Sequence, residues 1–116
     1  MLIAAILFSL TAIGGATAAS FPLRGLPRPP TWLALVHGAA AIASFAAFAY
    51  TALSKTLTSL EQLSIAGLGL AAVGGLTLFI GFHLRRKPLP VLIIIGHGIL
   101  AVAGVSLLWF SVYRSA

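Results

Sequence analysis

The chain has 116 residues, of which 60% are hydrophobic and 7% are charged, and its mean hydropathy is +1.13. A soluble domain of this size is mostly surface and cannot bury so much apolar area, so the composition excludes a soluble globular protein and indicates a membrane protein. Seven Lys and Arg residues against one acid give a net charge of +6, and the lack of cysteine excludes disulfides, thiolate catalysis and Cys-ligated metals.

Four apolar segments each come close to the length of about 20 residues that a helix needs to cross a bilayer. In chain order they are Leu2–Ser20, Thr31–Leu53, Leu63–Leu84 and Pro90–Tyr113. Because lipid offers no partner for backbone polar groups, each segment is predicted to be an unbroken helix. The first segment has a long apolar run and no basic start, so it is predicted to be a membrane span rather than a signal peptide. The sequence thus predicts an all-α bundle of four transmembrane helices in a single domain, residues 1–116.

The connections between the segments are short, and the first and third are basic. The first contains Arg24 and Arg28, the third is RRKP at residues 85–88, and the second contains Lys55 and Glu61. Cytoplasmic loops carry an excess of Lys and Arg, so we expect the first and third connections in the cytoplasm and both termini on the other side. We expect an integral protein of the bacterial inner membrane.

The chain aligns with itself, without a gap, after a shift of 60 residues. The matched stretches are residues 12–17 (AIGGAT) with 72–77 (AVGGLT), Pro30 with Pro90, and residues 37–43 (HGAAAIA) with 97–103 (HGILAVA). The match includes two of the three histidines, a Gly-Gly pair and a proline, which are rare types in so apolar a chain. We therefore predict a tandem pair of helical hairpins, residues 1–56 and 61–116, related by a pseudo-two-fold axis along the membrane normal.

The repeat predicts one membrane depth for His37 and His97. His37 lies six residues after Thr31 and His97 lies six residues after Val91, about 9 Å along the helix and within the cytoplasmic half of the membrane. Small residues accompany each histidine, next to it in the chain or one and two turns further along the same helix face. These are Gly38, Ala41 and Ser44 in the first repeat and Gly98, Ala101 and Gly104 in the second. The glycine pairs of the neighbouring spans, Gly14-Gly15 and Gly74-Gly75, are expected at the same level.

Ionisable groups within a bilayer are costly and are usually paired or functional. Low-spin haem iron takes one axial ligand on each face, so His37 and His97 could hold one haem b between them. The glycines and alanines would leave room for the porphyrin. Its propionates would need cations from the basic connections, for which the candidates are Arg24, Arg28, Arg85 and Arg86.

Two other interpretations of the histidines stay open. Each could ligate the magnesium of a chlorophyll-type pigment, because a single histidine beside small residues suffices for that. Each could instead make a structural hydrogen bond to a carbonyl or hydroxyl of a neighbouring helix.

With its four spans, paired histidines and neighbouring glycines, the chain resembles the small four-helix b-type membrane cytochromes, at the level of architecture and over its whole length. The resemblance implies electron transfer between a quinone pool and a partner protein. Many membrane cytochromes hold two haems with four histidines, whereas this chain has ligands for one. We therefore predict a non-catalytic, one-haem electron-transfer subunit of a larger redox or photosynthetic membrane complex, and the alternative is a non-redox structural or assembly subunit.

A chain of four spans and this length also looks like the small multidrug transporters, which need a carboxylate within the membrane. Here the only acid is Glu61, predicted in a connection, so proton-coupled cation exchange is not expected. No carboxylate pair, nucleophile–base set or phosphate-binding glycine loop is present, and the connections are too short to bind nucleic acid. His83, at the end of the third span, is expected to lie at the membrane interface, and the sequence does not define its role.

Overall fold

The computed structural model describes all 116 residues, Met1–Ala116, and is all-helical. The helices are α1 (Leu2–Leu23), α2 (Thr31–Ala52), α3 (Ser59–Leu76), which continues into the π-helical segment Thr77–His83, and α4 (Val91–Ser115). Each of the four is long and apolar enough to cross a membrane. The predicted spans are therefore confirmed as helices. The third span is one continuous helix, Ser59–His83, whose last seven residues are π-helical.

The outer surface of the molecule is apolar. Only 18 of the 116 residues are buried, and large apolar side chains such as Ile42, Leu92 and Ile99 remain exposed. A soluble monomer rarely exposes an apolar surface of this extent. In lipid, these side chains contact acyl chains, and the helices associate through close packing rather than through hydrophobic burial. The surface therefore fits an integral membrane protein.

A small apolar core lies in the half of the bundle away from the basic connections. Its members come from all four helices and are Ala4, Ala5, Phe8, Phe48, Leu68 and Leu108. Helix α1 packs on α2, α3 packs on α4, and the two pairs meet mainly through α1 and α4. We refer to the pair α1 and α2 as the first hairpin and to the pair α3 and α4 as the second hairpin.

Helix α3 begins with a capping box that buries the only acidic side chain. The backbone N–H of Glu61 donates to Oγ1 of Thr58, and the Thr58 N–H donates back to the carboxylate of Glu61 at 2.8 Å. The other carboxylate oxygen of Glu61 lies 2.6 Å from Nζ of Lys55. Glu61 is 1% exposed. It therefore belongs to the first turn of α3 and not, as the sequence predicted, to the connection before it, and it stabilises the positive end of the helix dipole.

The two basic connections lie at the same end of the bundle and touch each other. The backbone N–H of Leu89 donates to the carbonyl of Pro27 at 3.0 Å. Gly25 turns the chain after α1 with φ +89°, and Arg86 turns it after the π-helical segment with φ +55°. Arg86 is the only non-glycine residue with positive φ, a conformation that side chains other than Asn and Asp adopt rarely. We call this end of the molecule the basic end.

Candidate functional site

His37 of α2 and His97 of α4 face each other in the interior of the bundle. Their ring centroids are 6.2 Å apart and their planes lie at 89° to each other. Both side chains are half-buried and line the same small cavity. The two histidines that the repeat pairs in sequence are therefore neighbours in space, one from each hairpin.

Each histidine is held by a backbone carbonyl of the other helix in its own hairpin. Nδ1 of His37 lies 3.0 Å from the carbonyl oxygen of Thr11, and Nδ1 of His97 lies 2.6 Å from that of Ala71. A carbonyl can only accept, so Nδ1 carries a proton in both rings, and Nε2 of the neutral imidazole keeps its lone pair. Neither Nε2 has a hydrogen-bond partner, and neither is fully buried. Two basic nitrogens are therefore open to a ligand.

The two glycine pairs make room for the imidazole rings. A Cβ atom at Gly15 would lie 2.8 Å from Cε1 of His37, and one at Gly75 would lie 3.1 Å from Cε1 of His97. Gly14 and Gly74 are in ordinary contact with the same two side chains. All four glycines thus lie beside the histidines, and the space they leave is occupied by the rings themselves.

A cavity of about 60 Å³ separates the two hairpins at the histidines. Beside the rings its lining includes small residues, among them Ala12, Ala41, Ala72 and Ala101, and larger apolar side chains close it, namely Phe8, Phe45, Leu68 and Val105. A water needs roughly 10–15 Å³ of such volume. The cavity therefore has the size of a few waters and is much smaller than a porphyrin.

Gly38 and Gly98, the chain neighbours of the histidines, do not line this cavity. A Cβ atom at either position would meet nothing within 4 Å. The two glycines therefore face away from the packed interior, although the sequence placed them at the site.

Ser44 and Gly104 join helices within the hairpins instead of lining the cavity. Oγ of Ser44 lies 3.0 Å from Oγ1 of Thr11, linking α2 to α1. The carbonyl of Gly104 accepts a hydrogen bond from Oγ of Ser64 at 2.7 Å, linking α4 to α3. Both contacts are buried, so these small residues allow close approach of paired helices.

The four arginines predicted at the site separate into two groups. Arg24 stays with its own helix, where Nε donates to the carbonyl of Ser20 and the guanidinium lies over the ring of Phe21. Arg85 is exposed. Arg28 and Arg86 line a second cavity, which shares no residue with the cavity between the histidines.

The side chain of His83 is buried within the bundle, with 5% of its surface exposed. Its Nε2 lies 3.1 Å from Oγ1 of Thr31, and its ring stacks on Phe79 with a centroid distance of 5.4 Å. Sequence reasoning missed this side chain as part of a site because its partner, Thr31, begins a different helix. One signal was available in the sequence. His83 and several arginines lie at the ends of spans that the predicted topology places on the same side of the membrane.

No protein-family model, no curated protein and no solved structure matches the chain. The fold and the site therefore define only a class, a four-helix membrane protein with an interior pair of histidines. Anything more specific depends on the chemistry of the site.

Proposed function

We propose that His37 and His97 are the two axial ligands of one haem b, and that the chain is an electron-transfer subunit of a larger membrane complex. The observation that carries the proposal is the pair of open Nε2 atoms on rings whose centroids are 6.2 Å apart. Metal–imidazole bonds are about 2 Å long, so two imidazoles on opposite sides of one metal have centroids roughly 6 Å apart. The carbonyl bonds at Nδ1 are the outer contacts that metal-binding histidines usually make.

Two imidazoles suit a metal that brings most of its ligands with it. No group of three or more His, Asp or Glu side chains comes together in this structure, whereas a closed structural zinc site takes four protein ligands. A porphyrin supplies the equatorial nitrogens and needs only axial ligands from the protein. The bound group would supply one-electron oxidation and reduction of its iron, and the two histidines would hold and orient it.

The cavity must widen for a porphyrin to enter. The void of about 60 Å³ beside the two rings cannot hold the macrocycle, so the proposal requires the surrounding side chains and helices to move apart while the two rings keep their present separation. The hydrogen bonds between the hairpins leave this movement open, because none involves a residue that lines the cavity. They join Trp109 to Ser9, Thr31 to His83, and Leu89 to Pro27. Each histidine also stays attached to its own hairpin.

The tandem repeat with pseudo-two-fold symmetry is part of the same proposal. Its support is that the hydrogen bonds His37–Thr11 and His97–Ala71 join residues related by the shift of 60 at both ends. The contacts of Gly15 and Gly75 with the two rings are related in the same way. Such a repeat would present two equivalent histidines to the two faces of one porphyrin.

The visible spectrum of the purified protein, alone and after addition of hemin, tests the haem proposal. We expect sharp α and β bands on reduction, and we expect them to disappear in His37→Ala and in His97→Ala. His83→Ala is the matched control, because His83 lines the other cavity, and it should keep the bands. A folded protein that shows no such bands after addition of hemin and reduction would overturn the proposal.

The small cavity specifically favours a second candidate, a non-redox structural or assembly subunit. In that case the Nδ1 hydrogen bonds of His37 and His97 serve only to fasten α2 to α1 and α4 to α3. Replacing either histidine would then lower stability with no change in any absorption band. A spectrum of the magnesium-pigment type would instead favour ligation of chlorophyll-like molecules.

We also propose that the basic end lies in the cytoplasm of a bacterial inner membrane, with both termini on the far side and with quinone or other membrane subunits as partners. The support is the charge difference between the ends, with five of seven Lys and Arg residues in the first and third connections. A reporter fused after Ala116 should read as non-cytoplasmic, and a cytoplasmic signal would contradict this orientation.

A further inference from the structure

A second cavity, at the basic end, has a volume of about 410 Å³. It is lined by Arg28, Thr31, His83, Leu84 and Arg86. Four of these five side chains are polar or charged, unlike the apolar lining beside His37 and His97. The cavity therefore differs in chemistry from the one between the histidines, and its chemistry does not depend on the haem proposal.

No carboxylate balances the two guanidinium groups of this cavity. The only acidic side chain, Glu61, lies at the opposite end of the bundle, where it pairs with Lys55. Two cations at one cavity in the low-dielectric margin of a bilayer repel each other, so an anion from outside would relieve the repulsion.

His83 adds a buried donor to the two arginines. It is 5% exposed, and its Nε2 lies 3.1 Å from Oγ1 of Thr31. Its other nitrogen, Nδ1, has no hydrogen-bond partner and is not fully buried. When the hydroxyl of Thr31 donates to Nε2, Nδ1 carries the proton and is a donor. As a donor without an acceptor in the protein, Nδ1 can donate to a ligand.

The backbone brings these donors together from both basic connections. Helix α2 begins at Thr31, and the first N–H groups of a helix lack intrahelical acceptors and favour anions. The turn at Arg86, with φ +55°, follows the π-helical segment. The hydrogen bond from Leu89 to Pro27 fixes one connection against the other.

We propose that this cavity binds a phosphate group at the membrane surface, with Arg28, Arg86 and His83 as the donors. A guanidinium group can donate two parallel hydrogen bonds to the oxygens of one phosphate, and the N–H of a neutral histidine can donate a further one. The volume exceeds that of a single phosphate and leaves room for the adjoining part of a phospholipid headgroup. Inorganic phosphate presents the same chemistry, so the experiment includes both sources.

Calorimetric titration of the full chain in neutral detergent tests the proposal with three probes. These are inorganic phosphate, dioctanoyl phosphatidic acid and, as the phosphate-free control, dioctanoylglycerol. We expect saturable binding of one or both phosphate probes and none of dioctanoylglycerol. Binding of phosphatidic acid alone identifies a lipid headgroup as the ligand, whereas comparable binding of both identifies the phosphate group itself. Binding of neither would overturn the proposal.

Four charge-removing variants separate a built site from general attraction to a basic surface. Arg28→Gln and Arg86→Asn, the latter chosen because Asn tolerates positive φ, should each weaken binding about ten-fold, as loss of a charge-assisted hydrogen bond does. Arg24→Gln and Arg85→Gln remove the same charge at the same end but outside the cavity, and should change the affinity less than about two-fold. Equal losses in all four variants would contradict a specific site. Arg86 is exposed, so its variant decides the matter even if Arg28→Gln does not fold.

Discussion

Gly15 and Gly38 show how differently two glycines near one histidine behave. A Cβ atom at Gly15 would lie 2.8 Å from Cε1 of His37, whereas one at Gly38 would meet nothing within 4 Å. The ring of His37 cannot easily yield, because its Nδ1 is bonded to the carbonyl of Thr11 at 3.0 Å. The absence of a side chain is therefore needed at Gly15 and incidental at Gly38.

Gly15→Ala should lower the free energy of unfolding by about 1–2 kcal/mol, because the added methyl group displaces the ring and weakens its hydrogen bond. Gly38→Ala is the matched control and should be neutral or stabilising by about 0.5–1 kcal/mol, since Ala favours the helix. Unfolding of the detergent-solubilised protein, followed by helical circular dichroism, measures both. Equal losses in the two variants would contradict the contact at Gly15.

The sequence predicted the histidine pair and both Gly-Gly pairs as neighbours, because these residues are rare and repeat at one interval. It did not predict that Gly38 and Gly98 face away from the cavity. The side of a helix that points to the interior is usually inferred from the positions of its polar residues. Helices α2 and α4 are apolar all around and give no such signal. Only contacts between helices decide how each helix is rotated about its axis. The sequence therefore predicted the depth of the site along the helices better than it predicted which residues line the cavity.

At the scale of helices, hydropathy located all four spans but misjudged where α3 begins. The predicted span starts at Leu63, whereas α3 starts at Ser59. The polar first turn is stable because Thr58 and Glu61 cap it, and a capping box does not register in a hydropathy average. The spacing of Thr58 and Glu61 was the readable signal, since it matches the pattern S/T-x-x-E.

Variants of Glu61 should separate the cap from the ion pair at the start of α3. Glu61→Gln retains an acceptor for the Thr58 N–H and loses the charge pairing with Lys55, whereas Glu61→Ala loses both. We expect Glu61→Ala to cost about 1–3 kcal/mol and Glu61→Gln to cost less. Gln62→Ala, at the exposed neighbouring position, is the control and should change little. Chemical denaturation checks the order, and a loss in Gln62→Ala as large as in Glu61→Ala would contradict it.

The π-helical segment has no local signal in the sequence. The left-handed turns at Gly25 and Arg86 lie 61 residues apart, whereas His37 and His97 lie 60 apart. The π-helical segment itself ends at His83, 60 residues after the end of α1 at Leu23. It is stabilised by contacts between distant parts of the chain, such as His83 with Thr31, and these contacts depend on the assembled bundle.

At the scale of the whole molecule, the two hairpins associate through a compact apolar contact. Phe8 and Phe48 of the first hairpin meet Leu68 and Leu108 of the second, and Leu108 is fully buried. Lipid chains are as apolar as these residues, so the association depends on how closely the side chains fit. A cavity in this contact should therefore weaken the assembly.

Co-expressed halves, residues 1–54 and 55–116, should purify together, because the division leaves each hairpin intact. Leu108→Ala should weaken their association by about 1–3 kcal/mol through the void it creates. Leu92→Ala removes the same atoms from a side chain that is 84% exposed and should have no effect. Quantitative co-purification measures both. Equal recovery with Leu108→Ala and with Leu92→Ala would contradict the importance of this contact.

The distribution of hydrogen bonds between the hairpins also makes the molecule unequally compressible along its length. The link between Leu89 and Pro27 holds the basic end, and the Phe8 and Leu108 contact fills the other half. Between them lies a void of about 60 Å³ that no direct hydrogen bond between the hairpins spans. Pressure favours states with less internal void. Under hydrostatic load the molecule should therefore yield first at its middle, where the two imidazoles face each other.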